Sequence, residues 1–473
     1  MPSPANRPPR DRDSSDASLG DAAGAPSESR GDSVPVRRPA ERATVRELPH
    51  GARIVTGNAG DHALALQLIV QSRQDVAVED YQSGLDAPGY RASDRLLVRR
   101  DNQLLAHVHL TSHTAWFDGV RMPLVRLEDF AALPEYRQAG YEQSLLDTAE
   151  SIAAAEGGVV AVVHADRPDW FQQQGWSLLR GQGHTRANAR TVLAHLDAQA
   201  RARLRRRRSA VHIRTWRHFE LDEVRQIYDQ TASRWWGAMF RSEACWQWLV
   251  GRRAEDQVLV AESQRKEAAT NGDGGQGAEG RIVGYAVVRG SCIVEMMTLP
   301  ELPSARVELL AQACRDAIDR DHHSISLYTP AADSLHELLV TASGAWIGDK
   351  TTTGPRWLVK LLSPERWVER AYPLLRDAAR ATGAPRPLEL GIAAGDQSYL
   401  LRLTRRSSRL EQVEELPAEC AMCARPVFQS LLLGNLAVSA AIAGGQLRFA
   451  RAETAETVAA LFPPRLFWQS PLD

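Results

Sequence analysis

The sequence predicts a mixed α/β (α+β) protein with two related units and a third unit of different character. Apolar strands alternate with amphipathic helices over most of its 473 residues. The segment Leu133-Pro134-Glu135 recurs as Leu299-Pro300-Glu301, 166 residues later. Each copy closes a predicted strand and precedes a predicted helix, so we expect two copies of one fold. From about Pro364 the spacing of strands and helices changes, which predicts a separate α+β unit.

Composition shifts set the predicted boundaries. These are a disordered tail (1–45), a first unit (46–186), a linker helix (187–210), a second unit (211–362) and a third unit (363–473). The tail is rich in Pro, Ser, Asp, Arg and Gly, which is typical of disordered segments. The linker helix ends in an arginine run. That run fits a solvated helix surface, or a docking surface for a nucleic acid or an acidic partner.

Charge and composition exclude several classes of protein. Lys+Arg 57 against Asp+Glu 58 leaves a net charge of -1, so we expect neither a nucleic-acid-binding protein nor a membrane-surface protein. No long apolar run predicts a membrane span, and the charged N-terminus lacks an apolar signal core. The five cysteines are too scattered for a disulfide framework. We therefore expect a cytoplasmic protein with free thiols.

Local periodicity predicts most elements in order. In the first unit it predicts a helix at 61–77, a hairpin at 95–110 and a turn at 117–119. A strand that ends at Leu133, a second helix at 141–156 and a short buried strand at 159–163 follow. In the second unit it predicts strands at 211–214, 258–261, 282–288 and 324–328 and a helix at 304–320. In the third it predicts helices at 367–381, 428–433 and 453–462 and strands at 388–392, 398–402, 409–412 and 446–450.

The stretch after Leu133 predicts a site for an anion. A strand leads into a turn that carries Arg137 and Gly140, and a helix begins at Tyr141. The first N–H groups of a helix have no partner inside it, and the helix dipole favours a negative group there. Gly140 lets the backbone approach the ligand, and Arg137 adds a fixed positive charge. The second copy reads 302–306 as Leu-Pro-Ser-Ala-Arg, so we expect the anion site only in the first copy.

At this point the chain resembles a known family. The segment from Phe130 to Gly140 resembles the acetyl-CoA loop of GNAT acetyltransferases, whose form is R/Q-x-x-G-x-G/A. Two GNAT-like copies, the second degenerate, followed by a sterol-carrier-protein-like domain resemble the enhanced-intracellular-survival family of N-acetyltransferases. The resemblance covers about residues 45–473.

The resemblance implies acetyl-CoA as the acyl donor and a small amine as the acceptor. The pantetheine would follow the strand ending at Leu133, and the pyrophosphate would lie on the loop amides. The implied cofactor-binding residues are Ala132, Leu133, Arg137, Gln138, Ala139, Gly140 and Tyr141. Family amines include polyamines, aminoglycosides and lysine side chains. Neither a metal nor a nucleic acid is implied, and a homo-oligomer is expected.

Proton transfer needs a base and an acid. In the family the base is the terminal carboxylate, here Asp473, threaded back into the first unit; the alternative is a frayed terminus. Glu128 or Asp129 could instead hold or deprotonate the amine, or be an ordinary strand charge. We take Glu128 and Asp473 as the candidate catalytic residues.

Two residues depart from the family pattern. The position of the family's acid, a tyrosine, holds Phe171, and the sixth loop position holds Glu142. Trp170 and Phe171 are predicted to line the amine pocket beside the thioester. The departures favour an alternative function, a catalytically inactive protein that binds acyl-CoA or a lipid.

Two further groups of residues could form metal or redox sites. His107 and His109 share a strand face with His113 nearby, but no carboxylate or cysteine completes a ligand set, so hydrogen-bonded strand histidines are the alternative. Cys420-x-x-Cys423 resembles half of a zinc site, or a redox pair.

Overall fold

A computed structural model describes residues 43–72, 78–202, 211–252, 255–263, 280–348, 354–383, 386–417 and 420–472. Within these residues the chain forms three β-sheets with helices packed against them, so the predicted mixed α/β class is confirmed. The predicted disordered tail (nearly all of it), most of the arginine run and Asp473 lie outside the described residues. No described helix is both long and apolar enough to cross a membrane.

Residues 43–202 supply eight strands and five helices among those described. They are β1 Thr44–Glu47, β2 Ala52–Thr56, α1 His62–Ser72, α2 Val78–Leu85, β3 Arg95–Arg100, β4 Gln103–Phe117, β5 Val120–Ala132, α3 Tyr141–Ala155, β6 Val160–Ala165, α4 Pro168–Gln173, β7 Ser177–Leu178, β8 Gly183–Asn188 and α5 Ala189–Ala202.

The next part of the chain repeats this alternation. Its elements are β9 Val211–Thr215, α6 Leu221–Ala232, β10 Trp236–Met239, α7 Glu243–Gly251, β11 Gln257–Ser263, β12 Ile282–Arg289, β13 Cys292–Thr298, α8 Ser304–Asp319, β14 Ser324–Leu327, α9 Ser334–Thr341, β15 Ala345–Gly348 and β16 Arg356–Leu361.

The last part holds five strands and five helices among the described residues. They are α10 Pro364–Arg370, α11 Tyr372–Ala381, β17 Leu388–Ala394, β18 Gln397–Leu403, β19 Ser408–Gln412, β20 Cys420–Cys423, α12 Arg425–Leu432, α13 Val438–Ala443, β21 Leu447–Phe449 and α14 Ala452–Leu461. The short helix α13 was not predicted.

The first sheet has the order β1-β2-β3-β4-β5-β6-β16-β7, and β10 also pairs with β4. The predicted hairpins are confirmed, because β3 pairs antiparallel with β4 and β4 with β5. Asp118 and Gly119 make the second turn with φ of 48° and 85°, the left-handed region that two-residue hairpin turns require. After α3 the chain returns as β6, which pairs parallel with β5.

The second sheet repeats that plan in the order β15-β8-β14-β13-β12-β11-β9. Here β11, β12 and β13 pair antiparallel, and β14 returns parallel to β13 after α8. Both copies therefore place a long helix between two parallel strands, as the repeated Leu-Pro-Glu segment predicts. The third sheet has the order β19-β18-β17-β20-β21.

The first two sheets exchange strands across the predicted boundaries. Strand β8 lies in the second sheet, between β14 and β15, and β16 lies in the first sheet, between β6 and β7. The segment predicted as a solvated linker helix also contributes to the core of the second unit. Helix α5 packs against α8 and buries Ala189, Val192 and Leu196, which share one helical face. Local periodicity could not show this, because the partner of α5 is more than one hundred residues away.

A buried ion pair lies in the second unit. Arg241 and Glu295 are both fully buried and pair through two hydrogen bonds of 2.9 and 2.7 Å. Tyr285 donates to Glu295 at 2.7 Å, and Ser470 of the C-terminal tail donates to it at 3.1 Å. Burial first, and then the Glu295 carboxylate, raise the pKa of Tyr285 well above its ordinary value, so the hydroxyl remains a donor. The interior of the second copy is thus occupied by side chains and by the tail.

We expect Glu295→Ala to lower the free energy of unfolding by about 3–5 kcal/mol, because it leaves the Arg241 guanidinium buried without its counter-charge. Urea unfolding followed by circular dichroism measures the change. Glu389→Ala is the matched control, since its partner Arg402 and Glu389 itself are about half exposed. An exposed pair should cost less than about 1 kcal/mol. Equal unfolding midpoints for the two variants would contradict the prediction.

Candidate active site

The candidate site lies where β5 and β6 separate. The two strands pair in parallel from Leu124 to Leu127, opposite 160–163. Next to this end the pairing of β4 with β5 shifts register between His107 and His109, and Asp129 takes a left-handed φ of 54°. This bulge turns residues 128–132 of β5 away from β6. A wedge therefore opens between the strands, with Glu128 at its start.

At the far end of the wedge, β5 runs into the predicted anion loop. A 3₁₀ helix spans Pro134–Ala139, Gly140 follows with φ 74° and ψ 6°, and α3 begins at Tyr141. The first hydrogen bond of α3 runs from Ser144 N to Gly140 O at 3.1 Å, so the N–H groups before Ser144 precede the helical ladder. A Cβ on Gly140 would meet nothing within 4 Å. Glycine is needed here for its backbone conformation, and open space surrounds it.

Glu142 does not place a free negative charge in this loop. Its side chain is 4% exposed and bonds to Arg167, and its carboxylate lies 3.9 Å from Arg137 Nε. Two guanidinium groups thus surround one carboxylate, which leaves a net positive charge. Arg137 is 35% exposed, yet its Nε is buried and has no hydrogen-bond partner in the part of the chain described. These observations fit a pyrophosphate ligand.

Sequence reasoning missed Arg167. It lies just beyond β6, after Asp166, and precedes Pro168, the first residue of α4, so it lies across the wedge from the loop. Its guanidinium lies 5.4 Å from the centre of the Trp170 ring. A search for cations at the carboxyl end of the strand parallel to β5 would have found it.

The other predicted cofactor-binding residues differ in which of their atoms could contact a ligand in the loop. Ala132 and Leu133 are buried, and Leu133 N already donates to Leu105 O at 2.9 Å. The ring of Tyr141 is buried and its hydroxyl donates to Pro49 O at 3.4 Å, so only its backbone can face a ligand in the loop. Ala139 is exposed. Gln138 lies in the 3₁₀ helix, and its side chain is outside the described residues.

Phe171 is a core residue and not a pocket residue. It is 3% exposed and meets Phe130, Trp170 and Trp176 edge-on at centroid distances of 5.2, 4.9 and 5.7 Å. Trp170 is half-buried and tilted against Phe130. Of the two predicted pocket aromatics, only Trp170 presents surface, because the ring of Phe171 fills the core beneath it.

Glu128 is held by two partners. Its carboxylate lies 3.5 Å from His109 Nδ1 and 3.6 Å from Arg126 Nε. Burial raises its pKa, but the hydrogen bond from His109 and the charge of Arg126 outweigh burial and lower the pKa to about 2. Glu128 therefore stays ionised near neutral pH and is a poor proton acceptor there. This argues against Glu128 as the base and for a role in orienting its neighbours.

Asp129 faces a buried arginine. Arg95 is 2% exposed, lies 3.7 Å from the Asp129 carboxylate and donates to Tyr90 Oη at 2.9 Å. Arg95 Nη1 also lies 2.9 Å from His107 Nε2, and His107 Nδ1 lies 3.0 Å from Asp129 O. Burial and then Arg95 lower the pKa of His107 well below its ordinary value. His107 is thus a neutral, hydrogen-bonded strand histidine.

The predicted metal and redox alternatives gain no support from geometry. In the described ranges no group of three or more His, Cys, Asp or Glu side chains is arranged to hold a metal ion. Cys420 and Cys423 are free thiols on β20. Burial raises the pKa of the Cys423 thiol to about 11, which disfavours the reactive thiolate.

The C-terminal tail contacts the first unit at Phe467 and then enters the second unit, where Leu472 is buried. Phe467 packs edge-on against Phe117, and Leu472 O accepts a hydrogen bond from Arg252. Arg252 lies 4.3 Å from the ring centre of Trp248, which donates to Ser83 O on α2 at 3.0 Å. Asp473 lies outside the described residues, so its catalytic role stays a prediction.

Three comparisons with known proteins bear on this site. Residues 56–179 match a family described as the acetyltransferase (GNAT) domain. No curated protein matches the chain.

Solved structures match over most of the chain. A probable N-acyltransferase of Enterococcus faecalis shows 13% identity and a TM-score of 0.65, covering 88% of this chain and 97% of its own. A GCN5-related N-acetyltransferase of Anabaena variabilis has 13% identity and a TM-score of 0.64, with 88% and 98% covered. Eis1 of Mycobacterium abscessus has 14% identity and a TM-score of 0.60, with 90% and 98% covered.

At such low identity these matches show the fold. They confirm the predicted class, two GNAT-like units followed by a sterol-carrier-protein-like unit. GNAT acetyltransferases use an acyl-CoA as the acyl donor, and the wedge and its glycine loop lie inside the residues that match the GNAT domain. Residues 56–179 match the GNAT acetyltransferase domain, in a chain with the fold of the Eis-like probable N-acyltransferases.

Proposed function

We propose that the chain is an acetyl-CoA-dependent N-acetyltransferase that acts on a primary amine through its first unit. The observation that carries the proposal is the loop at Gly140, which presents backbone N–H groups, a left-handed glycine and Arg137 at the start of α3. This loop lies within the matched GNAT domain. Such a helix N-terminus favours a pyrophosphate, because both its amides and its dipole attract anions.

Each part of the wedge has a role in this proposal. Arg137 and Arg167 would contact the pyrophosphate, while Glu142 keeps their side chains in place. The separated part of β5 offers backbone groups to the pantetheine, since this part does not pair with β6. Trp170 would cover the thioester. The acetyl group would then lie beside Glu128 and His109, where the amine would approach it.

The thiolate must leave without help from residue 171. Phe171 has no hydroxyl and is buried in the aromatic core. A thiol has an ordinary pKa near 8.5, so its thiolate is a fair leaving group close to neutral pH. We propose that CoA departs as the thiolate and takes its proton from water.

Two facts bear on the choice of amine. In the described part of the cleft Glu128 pairs with Arg126 and Asp129 with Arg95, so both carboxylates are already neutralised. A polycation such as a polyamine or aminoglycoside needs carboxylates with charge to spare. The pairing therefore favours a substrate with one ammonium group near the thioester, such as a lysine-like side chain.

A second candidate is a protein that binds acyl-CoA without turnover. The buried Phe171 favours it, because the family's proton donor is missing. Lipid binding inside the third unit is less well supported. Its core, around Leu390, Phe428 and Phe462, leaves a cavity of only about 10 Å³, far below the size of a lipid chain, and the larger space of about 420 Å³ beside α11 and α14 is open to solvent.

Calorimetry with acetyl-CoA, together with CoA release across a panel of primary amines, tests the function. We expect wild type to bind and turn over, and Gly140→Asp to raise the Kd for acetyl-CoA at least about tenfold, or 1.4 kcal/mol. The substitution strains a left-handed backbone and adds a like charge. Gly119→Asp is the control, since Gly119 has φ 85° and open space but lies at the β4–β5 turn. Binding without turnover would favour the second candidate; absence of binding would exclude both.

Arg167→Gln should weaken acetyl-CoA binding several-fold, and less so in high salt, which screens exposed charges. Without Arg167 the buried Glu142 carboxylate competes with the ligand for Arg137. The double variant Arg167→Gln/Glu142→Gln should recover part of the affinity, so the two changes are non-additive. Arg402→Gln on the exposed face of the third sheet is the control. Additive losses in the double variant would contradict this arrangement.

A further inference from the structure

His109 lies on β4, next to the start of the wedge between β5 and β6. It is 4% exposed and is the residue of β4 that pairs with Glu128 on β5, so the two side chains share a face. His109 Nδ1 lies 3.5 Å from Glu128 Oε2. The bulge at Asp129 begins one residue later, so His109 adjoins the point where β5 leaves β6.

The other ring nitrogen of His109 has no partner. His109 Nε2 is buried and makes no hydrogen bond within the described residues. Buried polar atoms without a partner are rare in folded proteins and imply a partner such as water or a ligand. The ionised Glu128 carboxylate, 3.5 Å from Nδ1, favours the tautomer that carries its proton on Nδ1, which leaves Nε2 as the atom with the lone pair. The imidazole is thus held in the tautomer that can accept a proton at Nε2.

We propose that His109, oriented by Glu128, accepts the proton of the amine in the acetyl transfer, directly or through one water molecule. This inference rests on the proposed function and differs from the Asp473 carboxylate that the family resemblance implies. The amine lone pair forms the C–N bond, the C–S bond breaks, and CoA leaves with the electron pair. The proton lost by the nitrogen goes to Nε2 and then to solvent.

The charges around His109 are balanced. The ring of Tyr90 meets it edge-on at 5.2 Å, and Tyr90 Oη lies 2.7 Å from His62 Nε2. The titratable or charged groups around His109 come from five parts of the chain. They are Arg95 on β3, Arg126, Glu128 and Asp129 on β5, His62 on α1, Tyr90 in the loop before β3, and His107 and His113 on β4. Arg95 and Arg126 oppose an imidazolium, and the carboxylates of Asp129 and Glu128 offset them.

The test compares kcat and pH profiles, using the best amine of the panel and saturating acetyl-CoA. We expect His109→Gln to lower kcat by roughly 10²–10⁴-fold and to remove the ascending limb of the wild-type pH profile, with the Kd for acetyl-CoA unchanged. Glu128→Gln keeps the imidazole but removes the carboxylate that orients it, so kcat should fall by a smaller factor than in His109→Gln, again with the Kd for acetyl-CoA unchanged. His195→Gln, on α5, is the matched control and should behave as wild type.

Deleting Leu472 and Asp473 distinguishes the two proton acceptors. On this proposal the truncated protein keeps the ascending limb; loss of the limb there, with the limb retained in His109→Gln, would overturn it. If His109→Gln melts well below wild type, the kcat of Glu128→Gln becomes the test, and a kcat equal to that of wild type counts against His109. A wild type that binds acetyl-CoA but acetylates no amine would refute the proposed function, and this inference with it.

Discussion

The candidate site depends on one constraint, the short parallel pairing between β5 and β6. The strands pair at four residue positions, and the bulge at Asp129 then sends β5 away. Backbone groups that lose a strand partner must find another one or remain in water. A ligand that follows β5 with its own amide groups can replace the missing strand. The wedge thus determines where the Gly140 loop, the Glu128–His109 pair and Trp170 come together.

The buried carboxylate of Glu142 connects the two sides of the wedge. Glu142 cannot be left unpaired at 4% exposure, since an uncompensated buried charge is strongly unfavourable. It is satisfied from across the wedge by Arg167, which follows β6, and from its own side by Arg137. One carboxylate therefore links the start of α3 to the end of β6. The same contact leaves a net positive charge at the loop.

Distant parts of the chain extend the first sheet and pack against the first unit. Strand β16 completes the first sheet beyond β6, and β10 extends β4 at its far end. Helix α7 reaches the first unit through Trp248 and Ser83, and the tail reaches α7 through Leu472 and Arg252. Since these contacts join all three units, a change in the second or third unit can alter the first. The second copy fills its own interior with Arg241, Glu295 and the tail.

The sequence by itself determined the features whose causes are local. The hairpin at Asp118-Gly119, the left-handed Gly140 and helix α3 follow from turn chemistry and helical periodicity over a few residues. Tertiary structure alone decided the strand exchange of β8 and β16, the burial of Phe171, and the pairs Glu142–Arg167 and His109–Glu128. These depend on strand register and on packing between segments far apart in the chain, and local hydrophobic patterns carry no information about which distant segment becomes the partner.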